Sequence, residues 1–497
     1  MFDWLLRYVL LRGLPPQTVA ACIAHPQVRD LLKFRFVYLF AFHAPVLIPL
    51  LELLAGHRDP ALGVLSLGLA SLTMVLADVP TGLYADRHGA KAALRLGLQM
   101  TCVIMLGFFV LGLWRATAVA RGAAAGAWLP GIVGLLVLEA AIGVSLALLS
   151  GADTVLFLAV AKRSGIAGLE RSGFEGVGSA IRYFGTMAAV VIGALLYDGI
   201  TVIVRQPALR IALQNGLFLL TLLSMGLAIR TLARLPDTQE PAAANHPLLR
   251  PGFSSVLHAM REVLHWPAFF WRMWMLCLTS AAALFAVYVV QSPLSRLAGA
   301  LAQQTPAFWP LYTILVTVGY WSSSRGSYAF RHYHERPSQP GDESKAMRPL
   351  WFAVGSLLLL GLYPLLYACS PARTSGRWPL LVGAALICLL FNYLRGFVEP
   401  YSSTALIEFT QARGLRVPAS LVSGFNSIKR GIHFALSALF FLAQQRAARA
   451  HHGPDAVLSE TLAWLCAGFA ALLLPAAWWT LRGKSGAPQS RNPRLGV

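Results

Sequence analysis

Twelve long apolar runs recur along the chain. They are centred near Phe42, Leu72, Met105, Ile142, Ala188, Leu219, Leu278, Leu315, Leu360, Leu390, Ser437 and Phe469. A helix needs roughly 20 mostly apolar residues to cross the hydrocarbon core of a bilayer. Within that core each backbone polar group has to be satisfied inside the segment, so such runs take helical form. The pattern predicts an all-α polytopic membrane protein with twelve transmembrane helices. Composition agrees, with 57% hydrophobic and only 12% charged residues among 497. Soluble domains carry about 25% charged residues. A disordered chain, a coiled coil and an ordinary soluble enzyme are excluded.

The net charge is +20. In a soluble chain that would point to nucleic acid. Here the cations flank the apolar runs and read as topology determinants, so nucleic acid is not an expected partner and the lipid bilayer is. The excess of Lys and Arg falls on the side holding both termini and the even-numbered connections. The positive-inside rule then puts both termini in the cytoplasm. An even number of spans also requires the two ends to share a side. The six cysteines show no CxxC or metal-ligand spacing and read as packing residues. No metal and no cofactor is expected. The opening stretch MFDWLLRYVLLRG is broken by Arg7 and Arg12. It reads either as a helix on the membrane surface or as a packed extension.

The hydrophilic connection from about Arg230 to His265 carries Pro236, Pro241, Pro247, Pro251 and Gly252. That composition suits an extended linker. It divides the chain into an N-terminal cytoplasmic or interfacial segment (1–30), a six-helix bundle (31–234), a central cytoplasmic linker (235–265), a second six-helix bundle (266–482) and a cytoplasmic tail (483–497). Repeated signatures suggest that the second bundle duplicates the first. Gly82 and Gly89 follow span 2, and Gly319 and Gly326 are read as following span 8. Span 5 opens with Gly176-Val-Gly-Ser179-Ala-Ile-Arg182 and span 11 with Gly424-Phe-Asn-Ser427-Ile-Lys-Arg430. Both read G-x-x-S-x-x-R. The architecture predicted is two pseudo-symmetric six-helix bundles.

The strongest local motif is Asp78-Val-Pro80-Thr81-Gly82-Leu-Tyr84-Ala-Asp86-Arg87-His-Gly89-Ala90-Lys91. Few residues separate spans 2 and 3, so the turn is tight and Gly89 can supply a positive φ. Gly82 lets another helix approach closely. Asp86 ends span 2, where it can face the positive N-terminal end of another helix. This stretch resembles the signature loop of the major facilitator superfamily of secondary transporters, through Gly82, Ala85, Asp86, Arg87, Gly89 and Lys91. Tyr84 and Ala90 depart from the pattern. The lead-in Asp78-Val-Pro-Thr-Gly82, and Ser150-Gly-Ala-Asp153 at the end of span 4, are similar to a bacterial branch of that family. The resemblance implies two bundles rocking about a central cavity in a bacterial inner membrane. Asp86 would lock the cytoplasmic gate against the start of span 11, near Gly424 to Arg430. Ser323 would occupy the equivalent position in the second half.

An ionisable residue inside a span is costly and is a functional candidate by default. Glu139 lies about 12 Å into span 4 at 1.5 Å per residue. It is either a proton-coupling group or a neutral Glu hydrogen-bonded between helices. Arg395 and Glu399 are four apart on one face of span 10, with Asn392 extending it. They either contact substrate from the cavity wall or neutralise each other. Asp78, Asp153, Arg182 and Arg430 read as gate or repeat-partner residues. His43 and His433 read as packing residues more readily than as proton relays. No GxSxG, HExxH or Walker loop occurs. The expectation is therefore no enzyme, but a monomeric alternating-access transporter of a small molecule, by resemblance a proton-coupled efflux antiporter. A transporter-like sensor or scaffold, and a membrane-embedded lipid-modifying transferase, are the competing readings.

Overall fold

The computed structural model describes residues 2–11, 14, 16–42, 60–122, 129–166, 174–237, 253–304, 311–335, 343–369, 377–415, 418–449 and 454–482. The chain opens with α1 (Phe2–Leu5), which runs on as a π-helical turn (Leu6–Leu10), and α2 (Pro16–Ala24). Then come α3 (Pro26–Phe42), α4 (Pro60–His88), α5 (Ala90–Ala120), α6 (Leu129–Leu149), α7 (Ala152–Arg163), α8 (Phe174–Ile203) and α9 (Pro207–Ala233). After α10 (Phe253–Leu264) follow α11 (Pro267–Gln304), α12 (Leu311–Glu335), α13 (Glu343–Cys369), α14 (Arg377–Ala412), α15 (Pro418–Arg449) and α16 (Pro454–Arg482).

The sequence punctuates these helices in a consistent way. Pro16, Pro26, Pro60, Pro207, Pro267, Pro418 and Pro454 each open a helix, where the missing N–H has no intrahelical acceptor to lose. Gly89, at φ +94°, lets α4 turn into α5, and Gly151, at φ +74°, breaks the fourth span into α6 and α7. Among the described residues, eight helical segments are long and apolar enough to cross a membrane. The remaining four positions are filled by α3, α12, α13 and α15. Large apolar side chains such as Leu76, Val103, Val137, Leu223 and Leu358 are exposed on the outside. Water would penalise such a surface, whereas lipid tails satisfy it. The protein is a multi-pass integral membrane protein.

The two halves pack alike. In the first, α4 lies on α6, α3 on α8 and α5 on α9. In the second, α12 lies on α14, α11 on α15 and α13 on α16. Counted from the start of each half, these are the same three pairs. The halves meet along two equivalent seams, α4 with α15 and α8 with α12.

Some expectations change. Gly319 and Gly326 do not follow span 8 but lie inside α12. They are packing positions: a Cβ on Gly326 would stand 2.0 Å from the Tyr393 carbonyl oxygen. The serines beside them bond across the helix interface. Ser327 Oγ donates to the Gly396 carbonyl at 2.7 Å and Ser323 Oγ to Asn392 Oδ1 at 3.1 Å. Ser323, at the position equivalent to Asp86, thus bonds within the second half rather than across to the first. The first span starts earlier than its hydropathy suggests, at Pro26, and His43 lies outside the described residues. The linker is not extended throughout, since α10 is amphipathic and buries Val256, Ala259 and Val263. The N-terminal stretch is a packed extension: Leu6, Leu10 and Leu11 are fully buried in the cluster that holds Ala85, Ala90 and Leu232. Residues 483–497 lie outside the described residues.

Candidate functional site: a gate and a charged cavity between the halves

The candidate gate is built from helix ends. Asp86, in the last turn of α4, meets the first turn of α15. Its carboxylate accepts the backbone N–H of Ala419 at 3.2 Å and of Ser420 at 3.0 Å, and the Ser420 hydroxyl at 2.5 Å. The first N–H groups of a helix have no partner of their own and sit at the positive end of its dipole. A carboxylate from the opposite half supplies both the acceptor and the charge. The contact falls a few residues before Gly424, at the very start of α15, because that is where the orphan donors are. Lys429 and Arg430 lie further along and do not make it.

Close approach is needed for that cap to form. A Cβ on Gly82 would stand 2.7 Å from the Ser420 Cα, and one on Gly151 2.8 Å from the Ala419 carbonyl oxygen. Three more bonds fasten the seam below the cap. Ser427 Oγ donates to Asp78 Oδ2 at 3.0 Å, Asn426 Nδ2 to Ser150 Oγ at 2.8 Å, and Ser423 Oγ to the Ser150 carbonyl at 3.1 Å. Lys91 works within the first half, donating to the carbonyls of Ala233, the last residue of α9, and of Leu235 just beyond it. Arg87 is exposed at the turn.

Behind the gate lies a cavity of about 200 Å³ between the halves. Its wall includes Glu139, Asp153 and Arg182 from the first half, and Arg395, Glu399 and Lys429 from the second. Asp153, Arg182, Arg395 and Glu399, far apart in sequence, join one chain of alternating charge. Arg35 Nη1 reaches Glu175 Oε1 at 2.9 Å, and its Nε reaches Asp153 Oδ1 at 3.1 Å. Arg182 meets Asp153 Oδ2 at 3.5 Å and Glu399 Oε2 at 3.2 Å. Arg395 Nε closes on Glu399 Oε1 at 3.0 Å, and the Tyr183 hydroxyl donates to Glu399 at 2.6 Å. Arg182–Glu399 is an ion pair between the halves. In a low-dielectric interior each member is held because losing a partner would strand a buried charge.

Glu139 stands outside this chain. It is 1% exposed, lines the cavity, and neither carboxyl oxygen has a hydrogen-bond partner among the described residues. Asn392 is set apart from the cavity wall, bonded to Ser323 and to the Cys388 carbonyl. Arg430 and His433 line the cavity, and His433 Nδ1 lies 2.9 Å from Ser71 Oγ across the α4–α15 seam. Sequence reasoning missed Arg35, Glu175 and Tyr183. Arg35 had been counted among the cations flanking the first span, yet it is fully buried with its guanidinium 3.9 Å over the Phe157 ring. The signal was its place inside the apolar run Phe34-Arg35-Phe36-Val37-Tyr38. No group of His, Cys, Asp and Glu among the described residues could hold a metal ion.

No family model matches the sequence, and no curated protein does. Solved structures match over nearly the whole chain. The Escherichia coli fucose:proton symporter FucP is 14% identical, with a TM-score of 0.52 over 90% of this chain and 97% of its own. The nucleoside transporter NupG is 12% identical, with a TM-score of 0.52 over 92% and 99%. The proton:xylose symporter XylE, of the major facilitator superfamily, is 12% identical, with a TM-score of 0.56 over 91% and 94%. Identity at this level speaks for fold rather than for substrate. With its paired six-helix halves and the carboxylate cap between them, the chain has the major facilitator fold.

Proposed function

We propose that the protein is a secondary transporter that moves a small molecule by alternating access. One observation carries this reading: a charged cavity lies between two pseudo-symmetric halves and is flanked at one end by hydrogen bonds that bridge the halves. Opening requires the Asp86 cap and the bonds from Asp78 and Ser150 to break together. Rocking the halves about the cavity would break them without unfolding either bundle. The excess of Lys and Arg supports a cytoplasmic location for this gate and for both termini. The division of the chain at 30, 234, 265 and 482 follows the same plan.

Glu139 is the coupling group in this reading. A buried carboxyl without a partner is held most cheaply in its neutral form, and it becomes a proton carrier once the cavity is hydrated. Export rather than import is favoured by the resemblance of Asp78-Val-Pro-Thr-Gly82 to a bacterial branch of the superfamily, which also supports an inner-membrane location and a monomeric unit. The test uses purified protein in liposomes loaded with a pH-sensitive dye, screened with a mixed compound panel. Substrate-dependent proton flux in the wild type, reduced at least 100-fold in Glu139→Gln, is the expected result. Flux retained in Glu139→Gln would remove Glu139 from the mechanism. Labelled-compound movement with no proton flux would make the protein an uncoupled carrier.

A further inference from the structure

We propose that a groove on the flank of the second half is a binding site for one phospholipid with a zwitterionic, ammonium-bearing head group. The site stands on the membrane fold and assumes nothing about transport. The groove has a volume of about 1100 Å³ and lies between α11, α15 and α16, apart from the cavity between the halves. That is at the upper end of the ~300–1,000 Å³ usual for ligand sites. Small side chains make the hollow: a Cβ added at Gly468 would meet no atom within 4 Å. Leu278 and Phe285 of α11 form a buried floor. The Phe285 ring stands edge-on to His433, which lines the charged cavity, so this ring stands between the two spaces. Leu439, Leu442 and Trp464 also line the groove and are exposed, so it opens where lipid tails run.

Length and charge together identify the occupant. Positions lining the groove run from Ile432 to Arg446 on α15 and from Glu460 to Leu472 on α16. At 1.5 Å per residue those stretches are about 21 Å and about 18 Å long. One leaflet with its head groups is about 20–22 Å deep. Arg446, near the end of α15, and Glu460, in the second turn of α16, mark the same end of the groove, the one away from the Asp86 cap. Apart from Thr461 the rest of the lining is apolar. Arg446 and Glu460 are exposed, and neither side chain makes an ion pair among the described residues. A cation and an anion above an apolar trough one leaflet deep are the complement of a zwitterionic phospholipid. Its phosphate meets the planar fork of Arg446, and its ammonium donates to Glu460. A purely anionic head group would satisfy Arg446 but set its charge beside Glu460.

The experiment places the purified full chain in vesicles of phosphatidylcholine, whose trimethylated nitrogen cannot donate a hydrogen bond. The vesicles carry a trace of a photoreactive phospholipid with a diazirine midway along one acyl chain. One probe has an ethanolamine head group, the other a glycerol head group, and crosslinked residues are mapped by mass spectrometry. The ethanolamine probe is expected to label Leu439, Leu442 and Trp464 at least fivefold more than Val103 and Leu223, which are exposed outside the groove. It is also expected to label the groove at least threefold more than the glycerol probe does. Glu460→Gln should abolish the preference between probes, and Gly468→Trp, which fills the hollow, should bring groove labelling down to the level of Val103 and Leu223. Groove labelling no higher than at those two positions in the wild type, as when a second copy of the chain covers the groove, would overturn the proposal. Equal groove labelling by both probes would overturn it too, and both results are read on the wild type without a variant that has to fold. A preference unchanged in Glu460→Gln would sink it as well.

Discussion

The two seams between the halves are equivalent in topology and different in chemistry. Along α4 and α15, the halves are held by a carboxylate on a helix end, a second carboxylate on Ser427, and side-chain bonds to Ser150. Along α8 and its partners, the tie is ionic and deeper, running from Arg182 to Glu399. Helix α12 carries no Asp, and its only Glu is its last residue, so it has no counterpart of Asp86 to offer the start of α8. The two halves therefore share their packing pairs while their locking chemistry differs. The cap sets one carboxylate against neutral helix donors that are themselves buried, Ala419 at 1% and Ser420 at 0% exposure. The ionic tie sets two charges against each other, so breaking it leaves both to be compensated. One seam is thus held by helix-end hydrogen bonds and the other by charge.

The sharpest way to break this comparison is to remove the root of the ionic chain. Arg35→Met would leave Glu175 with only weak hydroxyl contacts, and removing one partner of a buried pair costs about 3–5 kcal/mol. A large drop in the thermal unfolding midpoint in detergent is expected. A drop no greater than that of an ordinary core substitution would mean that the chain is not what holds α8. The Asp86→Ala variant comes next. Losing the cap should cost about 2 kcal/mol, roughly a 30-fold shift towards the open gate. Labelling of Ser403→Cys, a cavity position, by a water-soluble maleimide added on the gate side would report it. Unchanged labelling would show that the cap does not govern access.

Smaller effects would sharpen the contrast. Gly82→Ala and Gly176→Ala each bring a methyl within 2.7 Å and 2.6 Å of backbone across one seam. Overpacking of this kind costs about 1–3 kcal/mol. Both variants should fold and favour the open gate, and similar labelling rates for the two would show that the seams close together. If only Gly82→Ala changes the rate, the α4–α15 seam moves alone. Least of all, Tyr328→Phe removes one hydrogen bond to the Leu10 carbonyl, worth about 1 kcal/mol. A loss of stability well beyond that would give the N-terminal segment a larger share in holding α12.

How much of this could be read from the sequence depended on whether a residue's role was local. Asp86 and Gly82 were legible because a short turn after an apolar run fixes where they stand, and helix ends have predictable needs. Glu139 was legible because an acidic residue deep in a span is conspicuous whatever surrounds it. The partnership of Arg182 with Glu399 was not, since 217 residues separate them and each had a plausible local role. Arg35 was misread for a related reason: topology counting treats every cation near the mouth of a span as solvated, and only the tertiary neighbours Asp153 and Glu175 pull this one inside. The glycines of α12 misled in the opposite sense: spaced like Gly82 and Gly89, Gly319 and Gly326 were read as following span 8, yet both lie inside the helix.

The contact between Tyr328 and Leu10 spans 318 positions of the chain. A ribosome makes the first ten residues long before the eighth span exists to receive them. Leu6, Leu10 and Leu11 can meet first-half partners early, but their tie to α12 has to wait until most of the protein has been inserted. Its formation marks the arrival of the second half beside the first. A bulky fusion placed ahead of Phe2 would load this late step, and would show as slower maturation of a chain whose individual helices had already entered the membrane.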